Sequence, residues 1–165
     1  MIMTQVFFGI GSNIKPEENI VLAVREIKNI FDHVIVSPVY KNKSVGFVGN
    51  DFLNLAISCS TKMSVYEVCD FIEQVHNLSG RERKPNKYLS RTLDIDLLMF
   101  GDHIIQDSKL HIPRDDILKY SFVLKPLVDI APESIHPITK SSFSEHWDRM
   151  DKAENPLIPV EIKTL

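Results

Sequence analysis

Residues 90–101 read Ser-Arg-Thr-Leu-Asp-Ile-Asp-Leu-Leu-Met-Phe-Gly, and their interpretation decides the fold. Leu93 to Phe100 is an apolar run of strand length, yet it carries Asp94 and Asp96. In a strand, residues i and i+2 point to the same face with Cα atoms about 6.5–7 Å apart. The two carboxylates are therefore expected to project together, with Leu93, Ile95 and Leu97 buried on the other face. Two carboxylates that close repel unless a cation is present. Hard divalent ions bridged to phosphate oxygens would satisfy them. So would an arginine, and a surface Asp pair bridged to Arg91 is the plain alternative.

Immediately upstream, Gly80 to Arg91 holds three arginines and two lysines against one acid, with Pro85 and Asn86 interrupting regular structure. Downstream, Lys109, His111 and Arg114 flank Pro113. Arginines grip phosphate oxygens bidentately and neutralise charge on a moving group. An acid pair beside a basic loop points to metal-assisted phosphoryl-type transfer from a nucleotide. There is no G-x-x-x-x-G-K-[ST] motif, and Gly9-Ile10-Gly11 is only a fragment of a dinucleotide fingerprint.

Further outward, Gln5–Ile10 predicts a strand that turns at Gly11-Ser12-Asn13. Pro16 opens a helix with Ile20, Ala23, Val24, Ile27 and Ile30/Phe31 on one face. Val34–Tyr40 predicts a second strand, Lys41–Asp51 a loop, and Phe52–Ser60 a third strand alternating Leu53, Leu55, Ile57 and Cys59 inward. Ser64 and Glu67 form a capping-box pattern for a helix to about Leu78, with Val65, Val68, Cys69, Ile72 and Val75 as its apolar face. After the acidic strand, His103–Ile105 predicts a short fifth strand, and helical spacing recurs in Ile117–Ile130 and Phe143–Met150. The order β-α-β-β-α-β predicts a ferredoxin-like α+β sandwich, with a mixed, largely antiparallel sheet and helices packed on one face.

Hydrophobic residues make up 44% and charged residues 25% of the 165. One domain spanning 1–165 is expected, with an irregular tail after about 150. A net charge of −3 argues against a nucleic-acid binder held by electrostatics. Cys59 and Cys69 form no C-x-x-C and predict plain buried thiols. No run reaches the ~20 apolar residues of a membrane span, and the N-terminus lacks a basic signal region. A soluble cytoplasmic protein, in monomeric form, is the expectation.

Read together, the blocks F-F-G-I-G-S-N-I, S-P-V-Y, D-F-L-N-L-A, G-R-E-R, S-R-T-L-D-I-D-L-L-M-F-G and F-V-L-K-P-L-V-D-I-A-P resemble the 6-hydroxymethyl-7,8-dihydropterin pyrophosphokinase family over roughly residues 6–133. The resemblance implies transfer of a diphosphate from ATP to the pterin hydroxymethyl group, with release of AMP, in folate biosynthesis. A diverged pterin- or nucleotide-binding paralogue is the alternative. It further implies that Asp94 and Asp96 hold two Mg²⁺ ions and that Arg81 and Arg91 act on the phosphates. Gly11, Val45, Phe52, Asn54, Asp94 and Phe122 would bind the pterin, with Asn13 in the same first loop. Arg81, Arg83, Lys87, Tyr88, Arg91, Lys109, His111 and Arg114 would bind ATP.

The chain departs from the family pattern at several points. Lys87-Tyr88-Leu89-Ser90-Arg91-Thr92 stands where R-W-G-P-R-T is usual, Pro113-Arg114 for P-H, and Asn42-Lys43 for T-P. Tyr120-Ser121 replaces an arginine before Phe122, and His76 falls where the family has an acid.

Overall fold

The computed structural model describes residues 2–43, 50–80, 93–152 and 156–165. Its organising strand is β1 (Thr4–Ser12), which pairs antiparallel with β4 (Phe52–Thr61) on one side and β5 (Asp94–Phe100) on the other. The expected turn at Gly11-Ser12 is thus still strand, since both residues pair with β4.

Two helices pack on one face, as the β-α-β-β-α-β order requires. The first, α1 (Pro16–Ile30), starts with proline, whose missing N–H is an orphan donor position in any case. Glu17 and Glu18 then face the positive end of its dipole. The second, α2 (Val65–Leu78), is closed by the expected capping box: Glu67 N–H donates to Ser64 Oγ at 3.2 Å and Ser64 N–H to Glu67 Oε2 at 2.7 Å. Ile20, Ala23, Val24 and Ile27 of α1 and Val68, Ile72 and Val75 of α2 form one core with Val6, Phe8, Ile10, Leu55, Ile57, Ile95 and Leu97 of the sheet. Phe31 joins this core, whereas Ile30 is exposed.

The expected single strand at Val34–Tyr40 is two strands, β2 (Asp32–Val36) and β3 (Val39–Asn42), both paired with β4. Pro38 has no N–H to continue a ladder. Ser37 fills the gap: its N–H donates to Ala56 O at 2.9 Å, and its Oγ accepts from Ala56 N–H at 2.8 Å.

Beyond β5, the expected fifth strand is a small hairpin, β6 (Ile105–Gln106) and β7 (His111–Ile112), separate from the main sheet. Asp107 closes its turn by accepting from Lys109 and Leu110 N–H, both at 2.8 Å, and these bonds hold its carboxyl below the usual range. The helical spacing of 117–130 resolves into α3 (Asp116–Lys119) and α4 (Ser121–Ile130), separated by extended Tyr120. Next comes α5 (Phe143–Arg149), capped by Ser142 Oγ. The segment after about 150, expected to be irregular, supplies β8 (Ile158–Val160), which pairs with β3 as the sixth strand of the sheet among the described residues. Pro159 is tolerated there because an edge strand can leave a missing donor facing outward.

Helices α3–α5 add a layer on the second sheet face, beyond what the β-α-β-β-α-β order includes. Phe7, Ala56, Leu98 and Met99 pack there against Ile117, Leu124, Leu127 and Phe143. A register shift at Phe7/Phe8 makes this possible: Phe7 opposes Met99 and Phe8 opposes Leu97, so Leu98 is the extra residue of a bulge. Cys59 is buried, which pushes its thiol up to about 12; Cys69 is half-buried and also raised, by burial and then by Asp70 and Glu73.

Ser37→Ala is expected to destabilise the fold by about 1–3 kcal/mol, because it leaves the buried Ala56 N–H without an acceptor. Urea unfolding of the variant against wild type measures this.

Candidate active site

On the second sheet face, past the end of the α4–α5 layer, β1 carries Gly9 and Gly11. Directly opposed residues of an antiparallel pair share a face, so the register fixes the surroundings. Gly11 lies between Asn54 of β4 and Asp94 of β5, and Gly9 between Ala56 and Asp96. With strands ~4.8 Å apart, β4 and β5 stand roughly 10 Å from each other across this bare floor. A side chain at either position would crowd this floor. A Cβ on Gly11 would meet Asn54 Oδ1 at 2.9 Å and Phe52 Cδ1 at 3.9 Å, and one on Gly9 would meet Leu98 Cδ1 at 3.1 Å. An amide and an aromatic ring thus lean over one side of the floor, and two half-buried carboxylates border the other.

Asp94 and Asp96 share the face that the i, i+2 spacing requires, while Ile95 and Leu97 bury opposite. Arg114, two residues past the end of β7, approaches them. Its N–H donates to Leu98 O at 3.0 Å, which fixes its backbone beside β5. Its guanidinium lies 3.8 Å from Asp96 Oδ1 and 3.4 Å from Asp116 Oδ2. Burial acts to lower the Arg114 pKa, but the Asp96, Asp116 and Asp94 carboxylates outweigh it and hold the guanidinium above its usual value. Arg114 Nε is buried without a hydrogen-bond acceptor among the described residues.

The strand itself is gripped from its open edge. Among the described residues β5 ends the sheet, so alternate N–H groups point away from β1. Ile95 N–H, between the two aspartates, donates to Nε2 of buried His76 at 2.9 Å. An accepting Nε2 places the ring proton on Nδ1, which faces Glu73 Oε1 at 3.4 Å.

Other expected site residues are distributed as follows. Phe122 is half-buried in the first turn of α4, its ring stacked on Tyr120 with centroids 4.9 Å apart and planes inclined by 21°. Tyr120, noted in the sequence only as a lost arginine, is therefore a ring partner. Asn13 donates to Asn50 O at 3.2 Å, tying the first loop to the approach to β4. His111 Nε2 lies 3.2 Å from Asp115 Oδ1, and Lys109 stands exposed in the turn closed by Asp107. Val45, Arg81, Arg83, Lys87, Tyr88 and Arg91 lie outside the described residues.

Sequence reading missed two contacts that bind the site's walls together. Tyr40 of β3 donates through its hydroxyl to Asp129 Oδ2 of α4 at 2.5 Å, and Lys125 Nζ lies 2.9 Å from Asp129 Oδ1. Burial and then Asp129 push the Tyr40 hydroxyl pKa well above its ordinary value, so it remains a donor. Asn42, opposite Phe52, accepts through Oδ1 from Asn54 Nδ2. The Tyr40–Asp129 and Asn42–Asn54 pairings are long-range, and no local pattern points to them.

An acid pair, a glycine floor, and an overhanging amide and ring form a candidate small-molecule site on a ferredoxin-like α+β fold. A profile of the family described as 7,8-dihydro-6-hydroxymethylpterin-pyrophosphokinase (HPPK) matches residues 7–132. The 2-amino-4-hydroxy-6-hydroxymethyldihydropteridine pyrophosphokinase of Aquifex aeolicus is 31% identical over 159 residues, covering 95% of this chain and 96% of that one. The protein of the same name from Haemophilus influenzae is 32% identical over 139 residues, covering 82% and 86%. Among solved structures, wild-type Plasmodium falciparum HPPK-DHPS with pterin and p-hydroxybenzoate matches with a TM-score of 0.72. That match is 13% identical and covers 90% of this chain and 42% of that one, so it is a likeness of fold. The chain belongs to the HPPK family, ATP-dependent diphosphokinases of folate biosynthesis.

His76→Ala is expected to cost about 1–3 kcal/mol by orphaning the Ile95 N–H, and to speed hydrogen exchange of that amide. His76→Gln, which offers an amide oxygen instead, restores part of the protection. Backbone exchange followed by NMR reads both.

Proposed function

We propose that this chain transfers the β,γ-diphosphate of ATP to the hydroxymethyl oxygen of 6-hydroxymethyl-7,8-dihydropterin and releases AMP. The observation that carries the reading is the register that places Asn54, Gly11 and Asp94 in one row across three strands. One side of that row suits a flat polar ring and the other suits polyphosphate.

In the reaction, the hydroxymethyl oxygen forms a bond to the β-phosphorus and gives up its proton. The bond from the β-phosphorus to the α–β bridging oxygen breaks, and AMP leaves with the electron pair. Such transfers demand little covalent chemistry of the protein, so positioning and charge stabilisation supply the rate.

The pterin stacks between Phe52 and Phe122 over Gly11, with Val45 beside it and the Asn54 amide on its polar edge. Asp94 and Asp96 would hold magnesium, two ions in this reading. Their donor set is carboxylate oxygen alone, which suits a hard cation that fills its shell with water and phosphate oxygens. When bound, it would neutralise charge on the polyphosphate and on the attacking oxygen. Arg81 and Arg91 steady the transferred group, with Arg83, Lys87, Tyr88, Lys109 and His111 along the nucleotide. Arg114, held beside the acid pair by Asp96 and Asp116, adds a cation next to the polyphosphate. In this reading the chain is a monomer with a single catalytic domain, working in the cytoplasm, where ATP is available.

Product identification with purified chain, ATP, magnesium and the reduced pterin tests this. AMP and pterin diphosphate in equal amounts are expected. Asp96→Asn should lower kcat by at least about 10²-fold, the effect of losing one electrostatic stabiliser, while leaving the unfolding midpoint near wild type. ADP in place of AMP, or undiminished turnover in the variant, would overturn the assignment. Binding of both substrates without AMP would identify a diverged binding module.

A further inference from the structure

A side-chain amide is nearly symmetric in shape but opposite in chemistry at its two ends, so something other than packing must decide which end Asn54 presents. The structure contains a relay that decides it. Asn42 Nδ2 donates to Lys43 O at 3.1 Å, and a backbone carbonyl can only accept. The other end of the Asn42 amide, facing Asn54, is therefore Oδ1. It accepts from Asn54 Nδ2, both side chains being buried from competing water. Asn54 Oδ1 is left pointing over Gly11, where a Cβ would come within 2.9 Å of it. The polarity of the relay thus runs from Lys43 O through Asn42 to Asn54 without a free choice at any step.

We propose that Asn42 is a positioning residue that fixes Asn54 as a hydrogen-bond acceptor toward the site. The site then selects a flat ring with an N–H donor on the edge facing Asn54 and rejects a ring with an acceptor or an alkyl group there. This rests on the pterin reading above. A 2-amino-4-oxo-pyrimidine edge has such donors in its ring N–H and amino group. Discrimination of this kind is strong because a mismatched ring leaves the Asn54 carbonyl buried and unpaired.

The test compares wild type, Asn42→Leu and Asn42→Asp in the full chain. Asn42→Leu removes both ends of the relay, and Asn42→Asp keeps an acceptor toward Asn54 Nδ2. Calorimetry should show pterin affinity falling roughly tenfold or more in Asn42→Leu, with most of it recovered in Asn42→Asp. Affinity for a non-hydrolysable ATP analogue should stay within about twofold, a split that general loosening of the fold would not give. Without any substrate, the Asn54 side-chain amide protons should exchange slowly in wild type and fast in Asn42→Leu. In wild type, a pterin methylated at the pyrimidine N–H should bind at least about tenfold more weakly, which keeps the test decisive if Asn42→Leu does not fold. Equal pterin affinity in Asn42→Leu, or equal affinity for the methylated ring, would overturn the proposal. Failure of wild type to bind any pterin would instead overturn the functional reading and, with it, the ring selection. The substrate-free amide exchange then still decides whether Asn42 orients Asn54.

Discussion

The antiparallel register of β1 between β4 and β5 is the constraint on which the site depends. Opposed residues share a face, so β1 sets what its neighbours can present to one another. At Phe7 it contributes a ring to the core under α4 and α5. Two and four residues later, at Gly9 and Gly11, it contributes nothing. Asn54 and Phe52 can then lean in from one side, and Asp94 and Asp96 can stand on the other. One sheet face thus changes along a single strand from packed core to open floor, and the boundary lies where Leu98 gives way to Asp96.

The surrounding fold holds this boundary from several directions. His76 grips β5 between its aspartates from the edge, and Arg114 meets the same strand through both its backbone and its charge. Tyr40 ties β3 to α4, the helix bearing Phe122, through Asp129. Ser37 bridges the break between β2 and β3 opposite Ala56, next to the floor. Each contact replaces mobility at a site wall with a hydrogen bond or ion pair in a partly buried setting, where such contacts are worth most. Pre-organisation of this kind is what transfer by positioning requires.

Much of this was legible in the sequence where the signal is local. The i, i+2 spacing of Asp94 and Asp96 predicted a shared face, and Ser64 and Glu67 predicted a capped helix; both are present. Helix α1 followed from its apolar stripe. The resemblance carried by the T-L-D-I-D-L-L run gave the family. What stayed hidden depends on partners distant in sequence. The run Leu97–Phe100 conceals a bulge, because both faces are covered there and alternation disappears. Pro38 did not reveal that Ser37 would mend the ladder. Ile158 and Val160 are too short a pattern to announce an edge strand without β3 beside them. Among site residues, Asn42, Tyr40 and His76 act through contacts 12, 89 and 19 positions away, beyond the reach of periodicity.

The most direct test of the central claim is a crystal structure of the chain with magnesium, a non-hydrolysable ATP analogue and the pterin. The pterin ring is expected over Gly11, between Phe52 and Phe122. Its hydroxymethyl group and the polyphosphate should meet beside Asp94 and Asp96. A ring bound elsewhere, with the glycine floor empty and the aspartates contacting neither metal nor phosphate, would contradict it.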